Sequence, residues 1–175
     1  QLNKQIFDTL TWQGHGPHEC YPDRKGSTVL ATHCAPIMSL GTPYIVPCEN
    51  GNRTDVSWIQ LLQQPIGNYG GSNPTKKGAG GGGGANTTGP APVLGFRIDS
   101  ASTFNFSVQE HTTEDLNQAK HSTSLEAFPR PFLSLNVDPF LMGVGGDDSW
   151  TACVHDEYML PPDEPYEFEL SFSFL

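Results

Sequence analysis

The sequence predicts an all-β fold of antiparallel strands with one short helix. Apolar and polar residues alternate in several short runs, which is typical of strands that bury one face. Pro, Gly, Asn and Asp separate these runs and supply the backbone angles that turns require. The 175 residues have the length of one domain with its own hydrophobic core.

The first two of these strands lie close together in the middle of the chain. VLGFRID (93–99) and FNFSVQ (104–109) each have apolar residues at every second position. This spacing places them on one face of a strand, where they can pack in a core. The residues so aligned are Leu94, Phe96 and Ile98 in the first run and Phe104, Phe106 and Val108 in the second.

The helix is predicted in HTTEDLNQAK (111–120). Thr112 or Thr113 is a suitable N-cap, and Glu114 and Asp115 suit the positive end of a first turn. We expect two turns at most. A single short helix fits a connection over the end of a sandwich better than a helical layer.

Two more strands follow the helix. FLSLNVD (132–138) and YEFELSFSF (166–174) both alternate, the second without interruption. The second is expected to be a half-buried antiparallel strand, with its glutamates and serines facing solvent. The aligned apolar residues are Leu133, Leu135 and Val137 in the first run and Tyr166, Phe168, Leu170, Phe172 and Phe174 in the second.

The other parts of the chain carry weaker signals. Trp12 and Trp58 sit within strand-like runs and are assigned to the core. Residues 67–92 include five consecutive glycines, which have no side chains to bury, so an exposed flexible loop inserted between two strands is expected. A phosphate-binding loop is the alternative for this insertion, but no strand–Gly–Lys–Ser/Thr–helix context follows it.

Charge and composition limit the classes of partner. The formal net charge is -10, and only 9 Lys and Arg residues are scattered along the chain. This gives no positive surface for nucleic acid or for an anionic membrane. No apolar run approaches the roughly 18 residues that a membrane span requires.

Cysteines and glycosylation motifs leave the compartment open. The spacing of Cys20, Cys34, Cys48 and Cys153 contains no CxxC pair, and free buried thiols are the simpler interpretation. Asn-x-Ser/Thr motifs begin at Asn52, Asn86 and Asn105. They favour a secretory route slightly, and a cytoplasmic protein is the alternative.

One cluster of potential metal ligands occurs near the N-terminus. Its spacing matches no zinc pattern, and Pro17 with its neighbouring glycines makes a simple turn an equally good explanation. We therefore expect no metal or other cofactor, with ordinary surface or packed histidines instead. The residues concerned are His15, His18, Cys20, His33 and Cys34.

The most informative motif is MGVGGDDSW (142–150). Its three glycines permit a tight bend and unusual backbone angles, so Trp150 either packs in the core or is presented at the end of a loop. A presented indole can stack on the apolar face of a sugar. Asp147 and Asp148 are adjacent and poorly placed to form a glycosidase acid pair, and no graded series of calcium ligands accompanies them. Holding the turn by accepting backbone amides is the simpler role for them.

Five stretches, taken in order, resemble the C-terminal small-chain domain of the LacZ-like family 2 β-galactosidases, their fifth domain. They cover most of the chain outside the Gly-rich insertion, which is longer than expected in that family. The five stretches are WQGHGPHECYPDR (12–24), TPYIVPCENGNRTDVSW (42–58), HTTEDLNQAKH (111–121), MGVGGDDSW (142–150) and VHDEY (154–158).

The resemblance implies a β-supersandwich similar to the galactose-mutarotase fold, of which this chain holds the C-terminal part. It implies that the domain closes one side of an active site whose catalytic glutamates and magnesium ligands lie in a separate TIM barrel. No catalytic residue is carried over to this chain. Trp150 corresponds to the family's tryptophan that stacks on the sugar, and the other motifs correspond to scaffold. The scaffold residues are His18, Glu19, Tyr21, Pro22, Asp23, Arg24, Glu49, Asn50, Gly51 and Arg53.

The predicted function is therefore non-catalytic support of β-galactoside hydrolysis, with Trp150, Asp147 and Asp148 as the candidate substrate-binding residues. The predicted partners are a galactoside or other carbohydrate and the TIM-barrel part, either in the same parent chain or as a separate subunit. If strands before residue 1 are missing, an exposed sheet edge or apolar face should be covered by a further segment or a partner. Two alternatives remain: a stand-alone carbohydrate-binding, lectin-like module, and a structural or assembly protein that reuses the fold.

Overall fold

The all-β prediction is confirmed. A computed structural model of the chain describes residues 1–4, 6–63, 95–148, 150–151 and 153–175. Within these ranges it contains seven strands, one α-helix and three short 3-10 turns. The strands are β1 Leu2–Asn3, β2 Phe7–Gly16, β3 Val29–Pro36, β4 Arg53–Gln63, β5 Gly95–Gln109, β6 Phe132–Asp138 and β7 Leu170–Phe174; the helix is α1 Thr113–Gln118, and the turns are Ile37–Ser39, Ser122–Ala127 and Asp156–Tyr158.

The strands form one antiparallel sheet in the order β1-β6-β5-β4-β2-β3, with β7 pairing to β5 outside this path. Strand β5 is the longest at 15 residues. Its first half pairs with β7 and its second half with β6, while β4 runs along both halves. The two runs predicted as separate strands at 93–99 and 104–109 are thus parts of one strand, as far as they lie within the described residues.

The core lies on one face of the central strands. In β2 every second residue from Leu10 is fully buried, and the register sets Leu10 opposite Leu61 and Trp12 opposite Ile59. Alternation of this kind is what a sheet with one covered face produces. The buried core cluster consists of Leu10, Trp12, Ile37, Leu40, Val56, Ile59, Leu61, Ile98, Phe104, Phe106, Val108 and Leu133.

Most of the residues predicted to face the core are buried or partly buried there. Ile98, Phe104, Phe106, Val108 and Leu133 are buried. Phe96, Leu135 and Val137 are partly buried and pack against the same cluster. Leu94 and the whole insertion at 67–92 lie outside the described residues.

The assignment of both Trp12 and Trp58 to the core is right for Trp12 and wrong for Trp58. Trp12 is fully buried. Trp58 lies one position out of phase with Ile59, on the opposite face of β4, and is half-buried. There its ring lies 4.1 Å from the guanidinium carbon of Arg97, a cation–π contact of a type that suits partly exposed surfaces.

The last strand differs from its prediction. It begins at Leu170 rather than at 166, and only Leu170 on its apolar face is partly buried against the core. Phe172 and Phe174 pair with Ile98 and Phe96 of β5, yet they are 67% and 87% exposed because nothing in the described residues covers them. An exposed apolar face of the predicted kind is therefore present, on β7.

Helix α1 confirms the predicted cap. The Thr112 hydroxyl accepts a hydrogen bond from the Asp115 amide at 3.2 Å, and the Asp115 carboxylate accepts one from the Thr112 amide at 3.0 Å. This is a capping box. Arg130 completes the arrangement by donating to the same carboxylate, at 2.9 Å from Nε.

The stability of this helix should depend on pH. The hydrogen bonds from Arg130, and then those from Thr112, hold the pKa of Asp115 well below its ordinary range. A carboxyl whose pKa is lower in the folded chain stabilises it fully above the unfolded pKa of about 4, and this contribution is lost as the pH falls below that value. Urea unfolding of the wild type and of Asp115→Asn should therefore differ most near neutral pH and converge in acid. A difference that does not change with pH would contradict the assignment.

The structure corrects two expectations, one about the burial of the cysteines and one about the glycosylation motifs. All four cysteines are free, but only Cys20 is buried. Asn52 and Asn105 are 5% and 6% exposed, so the folded chain offers neither of these motifs for glycosylation, and the slight preference for a secretory route loses their support. Asn86 lies outside the described residues. None of the described helices is long and apolar enough to cross a membrane.

Candidate functional site

The glycine-rich loop 142–148 is anchored to the rest of the fold by Asp23. Oδ2 of Asp23 accepts hydrogen bonds from the amides of Val144 at 2.8 Å and Gly145 at 2.9 Å. The amide of Gly143 donates to the carbonyl of Tyr158 at 2.8 Å. The loop is thus held from two sides by segments that are distant in sequence.

The glycines of this loop are needed for close approach rather than for unusual backbone angles. A Cβ on Gly143 would lie 2.6 Å from Oδ2 of Asp23, and one on Gly146 would lie 2.5 Å from the carbonyl oxygen of Cys153. Real Cβ contacts are not this short. Gly51 is the glycine in the described ranges with a positive φ, at 73°, so the expectation of unusual angles at 143, 145 and 146 is wrong.

Asp148 holds the turn before Trp150. One of its oxygens accepts from the amides of Trp150 at 2.7 Å and Thr151 at 2.6 Å, and the Thr151 hydroxyl donates to the carboxylate as well. The hydrogen bonds from Thr151, and then that from the Trp150 amide, lower the pKa of Asp148. The predicted turn-holding role is confirmed for Asp148.

Asp147 does not share this role. Its Oδ1 lies 2.8 Å from Nε2 of His155, and its carboxylate is otherwise exposed. The two acids thus have different partners. This arrangement does not resemble the paired carboxyls of glycosidases, which face each other across the scissile bond.

Trp150 is presented, not packed. The residue is 93% exposed, while its backbone is fixed by Asp148. This excludes the alternative in which the indole fills the core. An exposed indole on an anchored backbone is accessible to a ligand from solvent.

A cavity of about 330 Å³ lies beside the loop. Asp23, Arg24, Gly145, Asp147 and His155 are among the residues that line it, and Trp150 is not. Asp147 and His155 pair with each other. The cavity therefore offers polar contacts from carboxylate, imidazole, guanidinium and phenol groups.

Removing the anchor should release the loop. In Asp23→Ala the amides of Val144 and Gly145 lose their acceptor, so their hydrogen exchange should become about tenfold faster, as expected when a charge-assisted hydrogen bond is lost. Exchange measured by nuclear magnetic resonance or mass spectrometry tests this. Asp163→Ala, an exposed acid outside the loop, is the control and should leave both rates unchanged. Equal rates in Asp23→Ala and the wild type would show that the anchor does not hold the loop.

Two scaffold residues of the motifs form a buried polar frame under this site. Glu19 accepts from the Gly51 amide at 2.9 Å and from the hydroxyl of Tyr44. Burial raises the pKa of Glu19, but these hydrogen bonds outweigh it and the net shift is downward. Arg53 donates to main-chain carbonyls, those of Gly51 and Pro17 at 2.7 Å each. The predicted scaffold role is confirmed for Glu19 and Arg53, whereas His18 is exposed.

The candidate metal ligands near the N-terminus have other roles. Nδ1 of His15 lies 2.8 Å from the Thr28 hydroxyl, His33 stacks on Trp12, and the Cys20 sulfur accepts from the Thr54 amide. No group of three or more His, Cys, Asp or Glu side chains that could hold a metal ion occurs in the described part of the chain.

Sequence reasoning missed the residue that anchors the loop. Asp23 lies 121 positions before Val144, so no local pattern links the two. The residue was assigned a general scaffold role on the resemblance alone. The only hint in the sequence is the acidic residue Asp23 itself, for which no local pattern gives a role.

Comparison with known proteins identifies the family. The family model described as "Beta galactosidase small chain" matches residues 1–172. The chain is 33% identical over 174 residues to the beta-galactosidase of Vibrio vulnificus, which is 99% of this chain and 13% of that protein. It is 35% identical over 165 residues to the Psychromonas ingrahamii enzyme and 34% identical over 162 residues to that of Vibrio cholerae, in each case over 12% of the relative.

The chain thus spans only about an eighth of the length of the curated relatives it matches. The relatives are full-length enzymes, and their catalytic part lies outside the segment that corresponds to this chain. The five motifs and the match over nearly the whole chain agree with each other. The chain belongs to the β-galactosidase small-chain family.

Proposed function

We propose that this chain is a non-catalytic domain of a β-galactosidase and that it contributes Trp150 to the binding of the sugar substrate. The observation that carries the proposal is the 93% exposed indole on a backbone fixed by Asp148. The flat apolar face of a pyranose matches an indole plane, and neighbouring polar groups set its orientation. Asp148 acts by holding Trp150, and Asp147 offers an exposed carboxylate to sugar hydroxyls.

The exposed apolar face of β7 favours a domain of a larger protein over a stand-alone module. Phe172 and Phe174 are exposed on this strand, and Phe168, two residues before it, is 56% exposed. Exposed apolar patches of adjacent aromatic residues mark contact surfaces. In this proposal the remainder of the galactosidase, which supplies the catalytic residues, covers this face.

The role of Trp150 can be tested in a chimera. The segment of the Vibrio vulnificus β-galactosidase that aligns with this chain is replaced by this chain, and hydrolysis of a nitrophenyl galactoside and of lactose is measured. Trp150→Ala should lower kcat/KM roughly fivefold, because an aromatic stacking contact contributes about 1 kcal/mol and a factor of ten corresponds to about 1.4 kcal/mol. Trp150→Phe should retain most of the activity.

Trp58→Ala is the matched control, because Trp58 is half-buried on another face and should alter stability rather than kcat/KM. Equal kcat/KM values for Trp150→Ala and the parent chimera would refute the stacking role. Turnover by the purified chain alone would refute its non-catalytic character.

A further inference from the structure

A second, larger cavity of about 620 Å³ adjoins the one beside the loop, and Arg24 and Val144 line both. Its volume falls within the range of about 300–1,000 Å³ that is typical of small-molecule sites. Its walls combine aromatic, amide, hydroxyl and carboxyl groups. They include Tyr21, Tyr44, Asn50, Ser107, Asn136 and Asp138.

Three of the lining residues, Ser107, Asn136 and Asp138, belong to a polar patch on the paired strands β5 and β6. The register sets Asn105 opposite Asp138 and Ser107 opposite Asn136. Asn136 Nδ2 donates to the Ser107 hydroxyl at 3.4 Å, and Asn105 Nδ2 donates to the Asp138 carbonyl at 3.0 Å. Four polar side chains therefore occupy one face of strands whose opposite face is apolar core.

Part of the hydrogen-bonding capacity of this patch is unused. The carboxylate of Asp138 accepts no hydrogen bond from any described residue, and burial, together with the nearby Glu49, raises its pKa. This partly exposed carboxylate is therefore free to accept hydrogen bonds from a molecule in the groove.

The side chains that line the groove indicate which class of ligand it can bind. Glu49 and Asp138 outnumber Arg24, which makes only long contacts with Glu19 at 3.5 Å and Tyr44 at 3.4 Å, so the walls disfavour anions. Burial and Glu19 raise the pKa of Tyr21, so its hydroxyl stays protonated; it donates to Glu19, and its oxygen can accept from a ligand. Carboxylate and amide groups accept from and donate to hydroxyls, while tyrosine rings contact C–H faces. A neutral, hydroxyl-rich molecule meets all of these requirements.

We propose that this groove binds a neutral saccharide at a site separate from Trp150. Trp150 does not line the groove. The groove site thus goes beyond the proposed function, and either proposal can be correct without the other.

Titration of the isotope-labelled 175-residue chain with lactose, followed by nuclear magnetic resonance, tests the proposal. We expect saturable shifts at the backbone amides of Ser107, Asn136 and Asp138, with a dissociation constant in the millimolar range that shallow sites give. Trp150→Ala should leave these shifts unchanged. Asn136→Leu, similar in size but unable to hydrogen-bond, should weaken binding at least tenfold.

Asn117→Leu is the matched control, because Asn117 is exposed on α1 and does not line the groove. If Asn136→Leu fails to fold, Asp138→Asn takes its place, since it changes charge without changing size and should also weaken binding. Three results would overturn the proposal: no saturable shift at these amides, the same shifts with equal concentrations of glycerol, or unaltered affinity in the groove variant. Shifts confined to residues around Trp150 would also overturn it while supporting the stacking role.

Discussion

Arg53→Met is expected to lower the free energy of unfolding by about 3–5 kcal/mol, because it leaves several buried carbonyls without a donor. Arg53 is 2% exposed. Its guanidinium donates to the carbonyls of Gly51 and Pro17 at 2.7 Å and of Leu40 at 3.3 Å. It thereby ties together three segments that approach one another only in the folded chain.

The positive charge of Arg53 adds to the loss of stability expected in Arg53→Met. Burial lowers the pKa of Arg53, but arginine stays protonated in proteins, so the guanidinium is a buried cation. Its charged carbon lies 5.4 Å from the Trp12 ring, a favourable contact with the face of an indole. Arg53→Lys should restore only part of the stability, since an ammonium group cannot reproduce the planar fork of donors.

Urea or guanidinium unfolding followed by circular dichroism measures this loss. Arg97→Met is the matched control: Arg97 pairs with Asp99 at 2.7 Å near the surface, where such pairs contribute about 0–1 kcal/mol. An Arg53→Met chain within about 1 kcal/mol of the wild type would show that the carbonyls find water instead, as surface groups do.

Trp12→Ala is expected to cost about 3–5 kcal/mol, the range for truncating a large aromatic residue in a core. The ring of Trp12 stacks on His33 at 5.0 Å and meets the edge of Phe106 at 5.9 Å. Its Nε1 donates to the carbonyl of His15 at 3.0 Å. Truncation therefore opens a cavity and removes a donor at once.

The other two tryptophans provide the comparison. Trp58→Ala should cost about 1–2 kcal/mol, because a half-buried ring stacked on Arg97 loses less area and one cation–π contact. Trp150→Ala should change stability by no more than about 0.5 kcal/mol, as exposed positions do. Unfolding midpoints of the three variants should follow this order. An equal loss in Trp12→Ala and Trp58→Ala would contradict the placement of Trp58 outside the core.

Local patterns in the sequence were sufficient for most secondary structure. The alternation around Phe104, Phe106 and Val108 predicted a strand, and a threonine before two acids predicted the N-cap at Thr112 or Thr113, because both depend on neighbours along the chain. The same patterns failed for Trp58 and for the last strand. Alternation shows which residues share a face, but it does not show whether another layer covers that face.

For the candidate site, too, the sequence predicted some features and the tertiary structure decided others. The sequence alone singled out the glycine-rich bend, the turn-holding role of Asp148 and the tryptophan at the end of the bend, and its motifs indicated the family. The tertiary structure alone decided that Trp150 is exposed, that Asp23 anchors the loop, and that Asn105, Ser107, Asn136 and Asp138 share one patch. These depend on contacts between residues far apart in the chain, which form only when antiparallel pairing sets the register and the core decides which side of each strand is buried.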